Sequence, residues 1–245
     1  MQRAAILIGV SRTGGLQKLQ AVEWGVGHME RWARAQGMDV TVLTDKNAPV
    51  DPQQIKRAIK THVDAANLDQ LLIYFAGHGV NIRYGEYWLL SDAPGDTQAA
   101  VNVEGSVVLA RQCGIPHVVL MSDACRTAAD GIQAQNVTGS EIFPNTGGNG
   151  VERPVDLFFA CSLGKPALEI RDAAATARAF KAVYTDELFA SLAGERAALL
   201  ESMQSGGKDF RIVRPRPLKR HLQAALVQLL SEANVKGMAA AGFVA

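Results

Sequence analysis

Five short apolar runs, separated by helical patterns or loops, constrain the fold of this 245-residue chain most strongly. The runs are AAILIGV, MDVTVLT, QLLIYFAG, HVVLMSD and VDLFFACS, which begin at residues 4, 38, 70, 117 and 155. Strands that are apolar along their whole length are buried on both faces, as is typical of parallel sheets. The pattern therefore predicts an α/β fold in which helices cover both faces of a mostly parallel central sheet.

Apolar residues at helical spacing lie between these runs. They predict a first helix from about Leu19 that ends near Gly37, and a second helix that Asp51 caps and Pro52 opens. Further helices are predicted over about residues 103–113, over about residues 180–193 and from near Pro217 onward.

No internal repeat or linker divides the chain, so a single domain over residues 1–245 is predicted. Residues 127–154 are rich in Gly, Asn, Thr and Gln and predict a long mobile loop. Loops of that length in a compact domain are usually functional or disordered. A second loop is predicted over residues 165–179, and residues 232–245 have no clear pattern.

The charge balance and the cysteine count exclude several classes of protein. Lys and Arg total 25 against 24 Asp and Glu, which gives no electrostatic argument for binding nucleic acid or an acidic membrane. The first apolar run is too short for a secretory signal, and no segment is long enough to span a bilayer. Three widely spaced cysteines indicate a reduced, cytoplasmic protein without structural disulfides.

Two reactive side chains follow predicted strands, where ligands bind in open parallel sheets. His78 follows the third run within AGHG, and Cys125 follows the fourth run within SDACRT, 47 residues later (125 − 78). If the two strands are neighbours, the imidazole can take the thiol proton and create a nucleophile. The flexible Gly79 leaves its N–H open, and with the Cys125 N–H it could stabilise an oxyanion.

These segments, LLIYFAGHG and VVLMSDACRT, resemble the two signature segments of the caspase-like cysteine peptidases, which include caspases, metacaspases and bacterial homologues. ILIGVSRTGG, WLLSDAP, FFACSLGKPALE and VRPRPLKRHL extend the resemblance over roughly residues 3–230. It implies a caspase-like three-layer α-β-α sandwich with a large-subunit-like part over about 1–130 and a small-subunit-like part over about 154–245. It also implies Cys125 as nucleophile, His78 as general base and acid, and Gly79 with Cys125 as oxyanion donors.

Asp123 distinguishes the chain from caspases proper. Caspases carry Gln two residues before the nucleophile and cut after Asp, whereas metacaspases carry Asp there and cut after Arg or Lys. A carboxylate attracts a cationic side chain, and Arg can pair with it bidentately. The resemblance therefore predicts cleavage of proteins or peptides after Arg, in preference to Lys. Ser162 and Glu169 follow the fifth strand, where the family binds its substrate, and are further substrate-binding candidates.

Two departures from metacaspases bear on the site. Ala76 replaces the Ser that commonly lines their pocket. Asp92 is followed by Ala93, which breaks the acidic pair of calcium-dependent members. This argues against calcium dependence, although Asp96 and Asp130 leave it open, and no other metal or cofactor is expected.

Activation by loop processing or by a partner protein fits the resemblance, as does a monomer. Homologues with this layout often act in bacterial stress or defence systems. Basic residues in or near the predicted loops fit the enzyme's own specificity and are candidates for self-cleavage, namely Arg153, Arg171, Arg178 and Lys181.

Other interpretations stay open. One is a catalytically silent caspase-like scaffold or signalling module. Another is a nucleotide- or cofactor-binding α/β domain, although no phosphate-binding motif is present. Two roles fit Arg126 equally well: a structural one, as an ion-pair partner or hydrogen-bond donor, and contact with the substrate. Cys161 is predicted to be a core residue, and His117 with Cys113 is too small a set for zinc.

Overall fold

The computed structural model of this chain describes residues 2–126, 128–129, 131–145, 151–161, 169–171, 180–205 and 207–235. The strands are β1 (Arg3–Gly9), β2 (Asp39–Thr44), β3 (Gln70–Ala76), β4 (Gly79–Ile82), β5 (Gly85–Leu89), β6 (Ala100–Asn102), β7 (His117–Asp123), β8 (Val155–Phe159), β9 (Glu169–Arg171), β10 (Phe180–Ala182), β11 (Leu200–Ser205) and β12 (Lys208–Val213). The helices are α1 (Val22–Ala35), α2 (Pro52–Ala65), α3 (Val103–Gln112), α4 (Gly131–Gln135), α5 (Val183–Leu192) and α6 (Pro215–Val235).

Five strands form one parallel sheet in the order β2-β1-β3-β7-β8. Alternate side chains enter two different cores, since side chains of a strand alternate between faces. Along β3, Ile73 and Phe75 enter a first core that α2 and α3 line, and Leu72 and Tyr74 enter a second core that α1, α5 and α6 line. The predicted three-layer α-β-α sandwich with a mostly parallel central sheet is confirmed.

The start of α2 follows from its local sequence. Asp51 Oδ1 accepts a hydrogen bond of 2.8 Å from the Gln54 backbone N–H, and Gln54 Oε1 accepts one of 3.3 Å from the Asp51 N–H. These bonds satisfy donors that a helix start leaves without intrahelical partners, and Pro52 has no N–H to satisfy. The predicted cap of this helix is confirmed.

A small antiparallel sheet in the order β4-β5-β6 follows β3 and is not among the predicted elements. Its first turn places Arg83 and Tyr84 at φ values of 49° and 71°. Tight hairpin turns with positive φ usually contain Asn-Gly or Asp-Gly. Because neither pair is present, the sequence gives no local marker for this hairpin.

Parts of the two segments predicted as loops are structured. In residues 127–154, α4 forms, and Ile142 and Phe143 are fully buried in the first core. In residues 165–179, β9 forms, and it pairs with β10, so the helix predicted from residue 180 begins only at Val183. Isolated apolar residues among polar ones gave no periodic pattern in either segment.

The β11–β12 hairpin extends into solvent. Met203 and Phe210 lie opposite each other across the pair and are 40% and 44% exposed. No third strand joins these two within the described residues. Within the described part of the hairpin, only its end contacts the second core, through Val213, and the run of alternating residues in β12 is short. Only an extended piece before α6 was therefore expected.

Candidate active site

The pairing of β3 with β7 places the His and Cys segments side by side. The strands are parallel and in register up to Ala76 opposite Asp123. His78 and Cys125 each lie two residues beyond this last pair. A hydrogen bond of 3.4 Å from the Gly77 N–H to the Asp123 carbonyl oxygen continues the contact past the strand ends. Both predicted residues therefore lie at the same edge of the sheet.

The imidazole of His78 is oriented by a backbone group. Its Nε2 lies 2.7 Å from the Gln17 carbonyl oxygen. A carbonyl oxygen only accepts hydrogen bonds, so Nε2 carries the proton and Nδ1 of the neutral ring is the basic nitrogen. Gln17 was not predicted as a site residue, because a contact through a backbone carbonyl does not depend on residue type.

The Gly-rich loop after β1 that carries this carbonyl is held at several points. Ser11 Oγ donates to Asp45 Oδ1 at 3.1 Å, and the Gly14 N–H donates to the Ser91 carbonyl oxygen at 3.0 Å. Gly14 has a φ of 45°, and a Cβ there would lie 2.5 Å from the Ala93 carbonyl oxygen. Glycine is thus needed for the close packing that fixes the loop.

Gly79 packs directly against Ala124 and Cys125. A Cβ at this position would lie 2.5 Å from the Cys125 carbonyl oxygen and 2.9 Å from Ala124 Cβ. No side chain fits in that space without displacing the backbone. The chain after His78 is therefore in van der Waals contact with the backbone of Cys125, which is where the predicted oxyanion donors are required to be.

Asp123 is buried at the end of β7, with 8% of its surface exposed. Thr185 Oγ1 donates a hydrogen bond to Asp123 Oδ2 from the start of α5. Ala76, the position of the metacaspase Ser, is also buried and faces the same second core. The neighbours that α5 contributes were not predicted, since Thr185 is 62 residues away in the sequence.

Arg126 is held on two sides by structural contacts. Its Nε lies 2.5 Å from Glu86 Oε2, and its guanidinium carbon lies 4.0 Å from the centroid of the Phe159 ring. An ion pair and a cation–π contact together fix the side chain. Of the two roles left open for Arg126, these contacts favour the structural one.

Glu86 is completely buried and contacts residues on both sides of Cys125, namely Ser122 and Arg126. Ser122 Oγ donates to Glu86 Oε1 at 3.4 Å and accepts from Trp88 Nε1 at 2.9 Å. Burial raises the pKa of Glu86 to about 7; the Arg126 guanidinium opposes this rise, and the Glu104 carboxylate adds to it. The small antiparallel sheet is thereby tied to the end of β7 by a buried carboxylate that titrates near neutral pH.

The other two cysteines are poor nucleophiles. Cys161 lies half-buried just after β8, and its Sγ donates to the Ala124 carbonyl oxygen at 3.5 Å. Burial, with the nearby Cys125, raises the pKa of Cys161 to about 12. Burial also raises the pKa of Cys113. Both side chains therefore stay protonated at neutral pH, and a thiol is a weak nucleophile.

Several predicted site residues fall outside the described side chains. Ser162 and Arg178 lie outside the described residues altogether. Glu169 and Arg171 lie in β9 and Lys181 lies in β10, and only the backbone of these strands is described. The roles predicted for these five residues stay predictions.

In the described part of the chain, no three His, Cys, Asp or Glu side chains are grouped so that they could hold a metal ion. The His117 ring instead contacts two neighbouring strands: its Nε2 lies 2.9 Å from Asp156 Oδ2, and its Nδ1 lies 2.8 Å from Gln70 Nε2. None of the described helices is both long enough and apolar enough to cross a membrane.

The three-layer sandwich, with His and Cys at the ends of adjacent parallel strands, defines a caspase-like α/β protein. The caspase domain family matches residues 2–209, so the chain belongs to this family of cysteine peptidases. Membership supports a protease function and protein substrates. A comparison with curated proteins gave no significant match.

Replacing Glu86 with Gln is expected to remove a pH dependence of stability. The pKa of Glu86 is about 7 in the folded chain against 4.5 for an ordinary glutamate, so the folded state binds this proton more tightly than the unfolded state. The contribution of Glu86 to stability therefore falls as the pH rises from about 4.5 to about 7. Relative to Glu86→Gln, the wild type should lose on the order of 3 kcal/mol over that window.

Urea unfolding of both proteins between about pH 4.5 and about pH 8 measures this difference. Glu201→Gln is the matched control, because Glu201 forms an exposed ion pair with Arg214 and should change little. Parallel stability curves for wild type and Glu86→Gln would contradict the expectation.

Proposed function

We propose that this chain is a cysteine endopeptidase that cleaves after basic residues, arginine in preference to lysine. The observation that carries the proposal is the register of β3 and β7, which brings His78, oriented by the Gln17 carbonyl, beside the Cys125 segment. In this proposal Cys125 is the nucleophile, His78 is the general base and acid, and the N–H groups of Gly79 and Cys125 bind the oxyanion.

The proposed reaction uses side chains and backbone groups alone. His78 Nδ1 takes the proton of the Cys125 thiol, and the thiolate attacks the carbonyl carbon of the scissile peptide bond. The N–H groups of Gly79 and Cys125 donate to the oxyanion that forms. His78 then protonates the leaving amine as the C–N bond breaks, which leaves a thioester on Cys125. A water molecule that His78 deprotonates hydrolyses the thioester and restores the thiol.

Asp123 is the proposed floor of the specificity pocket. Its carboxylate pairs with a cationic side chain and repels an acidic one. A guanidinium matches it better than an ammonium, because the guanidinium is planar, weakly hydrated and able to form two parallel hydrogen bonds. Ser162 and Glu169 complete the substrate site in this proposal.

Peptide reporters that differ only in the residue before the cut should rank Arg first, Lys second and Asp last. Cys125→Ala and His78→Ala should each lower kcat by about a thousandfold or more, because each removes a partner in the same proton transfer. Cys113→Ala is the matched control and should keep its turnover, since Cys113 is buried at the end of α3. Faster cleavage of the Asp reporter, or an active Cys125→Ala variant, would refute the proposal.

A thiol-reactive peptide that carries Arg tests the scaffold interpretation in the same samples. It should label wild type at Cys125 and leave Cys125→Ala unlabelled. A folded wild type that neither turns over the reporters nor reacts with this probe would indicate a scaffold.

Replacing Gly79 with Ala should lower kcat by about a hundredfold to a thousandfold, the usual effect of losing an oxyanion donor. The added Cβ would lie 2.5 Å from the Cys125 carbonyl oxygen, so the two backbone segments must separate. Gly27→Ala in α1 is the control, because its nearest neighbour would be the flexible Arg31 Nη1 at 3.7 Å. Steady-state kinetics with the Arg reporter measure both, and an unchanged kcat for Gly79→Ala would rule out this role.

We further propose that processing within the chain, or a partner protein, activates the enzyme. Arg153 is the best supported of the four candidate cleavage sites. It lies in a stretch without regular secondary structure, where Val151 and Glu152 are exposed. Its backbone N–H donates a hydrogen bond of 2.8 Å to the Arg111 carbonyl oxygen. Proteases prefer such exposed segments to paired strands such as those that contain Arg171 and Lys181.

Purified wild type should therefore cut itself, whereas Cys125→Ala should stay intact, and Arg153→Gln should lose the fragment that ends at residue 153. Intact-mass spectrometry after incubation distinguishes these results. Identical masses for wild type and Cys125→Ala would show that the chain does not process itself.

A further inference from the structure

A hydroxyl group from α5 reaches the carboxylate of Asp123 inside the second core. Thr185 is completely buried, and its Oγ1 donates to Asp123 Oδ2. Asp123 is buried, with 8% of the residue exposed. Removing a charged carboxylate from water is costly unless hydrogen bonds replace the lost hydration. A donor to the charged form is the type of contact that keeps a buried carboxylate ionised.

A second hydroxyl supports the first. Tyr74 Oη on β3 lies 2.9 Å from Thr185 Oγ1, and Tyr74 is completely buried. Because Thr185 uses its only hydroxyl proton in the bond to Asp123, Tyr74 is the donor between the two hydroxyls. Burial and the Asp123 charge raise the pKa of Tyr74 well above its ordinary value, so Tyr74 stays a protonated donor at neutral pH.

Helix α1 leaves room for Tyr74 and Thr185 because it has a glycine, Gly25, at the point of contact. A Cβ at Gly25 would lie 2.9 Å from Tyr74 Oη and 3.5 Å from Thr185 Cγ2. The Tyr74 hydroxyl and the Thr185 methyl group therefore fill the volume that a side chain at Gly25 would occupy. Close packing of this kind leaves the two hydroxyls little freedom to rotate away.

The helix that carries Thr185 is fixed by an ion pair two residues later, between the buried Glu187 and the partly exposed Arg196. Glu187 is 7% exposed and accepts two hydrogen bonds of 2.8 Å from Arg196. His221 Nε2 on α6 lies 2.6 Å from the same carboxylate. The Arg196 hydrogen bonds are the largest of the effects that lower the pKa of Glu187, so this carboxylate stays ionised at neutral pH.

We propose that Thr185 is a positioning residue for substrate specificity: its hydroxyl, supported by Tyr74, holds the Asp123 carboxylate in a fixed orientation for a substrate guanidinium. The inference rests on the proposed function, in which Asp123 is the floor of the pocket. A guanidinium requires a carboxylate of defined orientation, whereas an ammonium does not. Thr185 therefore contributes to the preference for Arg over Lys as well as to the recognition of positive charge.

Three variants and three peptide reporters test this inference. Thr185→Val removes the hydroxyl and keeps the shape of the side chain, Thr185→Ser keeps the hydroxyl, and Tyr74→Phe removes only the supporting donor. The reporters carry Arg, Lys or citrulline before the cut, since citrulline is a neutral analogue of Arg.

For Thr185→Val, kcat/KM with the Arg reporter should fall by about 10-fold to 100-fold, the usual effect of losing a hydrogen bond to a charged group. The change should be mainly in KM, and the Arg-over-Lys ratio should fall. The citrulline reporter, and the alkylation of Cys125 by iodoacetamide, should keep wild-type rates. Thr185→Ser should restore most of the loss, and Tyr74→Phe should show a smaller loss in the same direction.

An equal loss with all three reporters, or slower alkylation of Cys125, would mean that Thr185 only supports the fold, and this would overturn the inference. The inference would also be overturned if the wild type is active and both Thr185→Val and Tyr74→Phe keep its kcat/KM with the Arg reporter. If Thr185→Val does not fold, Tyr74→Phe and Thr185→Ser decide by the same criteria. A wild type that cleaves no Arg reporter overturns the proposed function itself, and the inference with it.

Discussion

The hydrogen bonds between β3 and β7 bring together two chain segments whose key residues are 47 positions apart (125 − 78). Adjacent strands lie about 4.8 Å apart, so the spacing between the two segments is set before any side chain is considered. The register matters as much as the distance. A slip of one residue would turn Asp123 to the opposite face of the sheet, away from the second core in which Thr185 lies.

The segment at the end of β7 is held from both faces of the sheet. On one face, Ser122 donates to the buried Glu86, and on the other, Asp123 accepts from Thr185. Successive residues of a strand point to opposite faces, so a short segment has anchors in both cores. Rigid support from packed elements on each side is what a nucleophile needs for a reproducible angle of attack.

Much of the fold could be predicted because the central strands are buried on both faces. Runs such as those of β3 and β7 are apolar throughout, and the Asp51 cap of α2 is a local signal. The small sheet could not be predicted, because its first turn uses Arg83 and Tyr84 in place of the residues that usually mark such turns. A pattern in one sequence reports neighbours along the chain, and the hairpin leaves no such pattern.

Some residues of the candidate site could likewise be predicted from the sequence, and others could not. His78 and Cys125 could be found because each follows an apolar run, and Asp123 because of a resemblance. The residues that orient them could not be found. Gln17 acts through a backbone carbonyl, and Thr185 and Glu86 become neighbours of the residues on either side of Cys125 only when distant elements pack. Contacts of this kind are set by tertiary structure and have no local sequence signature.

The β11–β12 hairpin has a consequence for how the chain behaves at high concentration. A ribbon of two strands has two open edges with unpaired backbone groups, and open edges are the usual starting point for aggregation through β-pairing. Here charged residues line the ribbon, with Glu201 on one strand and Lys208, Asp209 and Arg211 on the other, all exposed. Another strand could dock only by stripping water from these charges, which is costly. In the part of the chain that the structure describes, these charges thus protect the open edges of the hairpin from uncontrolled self-association.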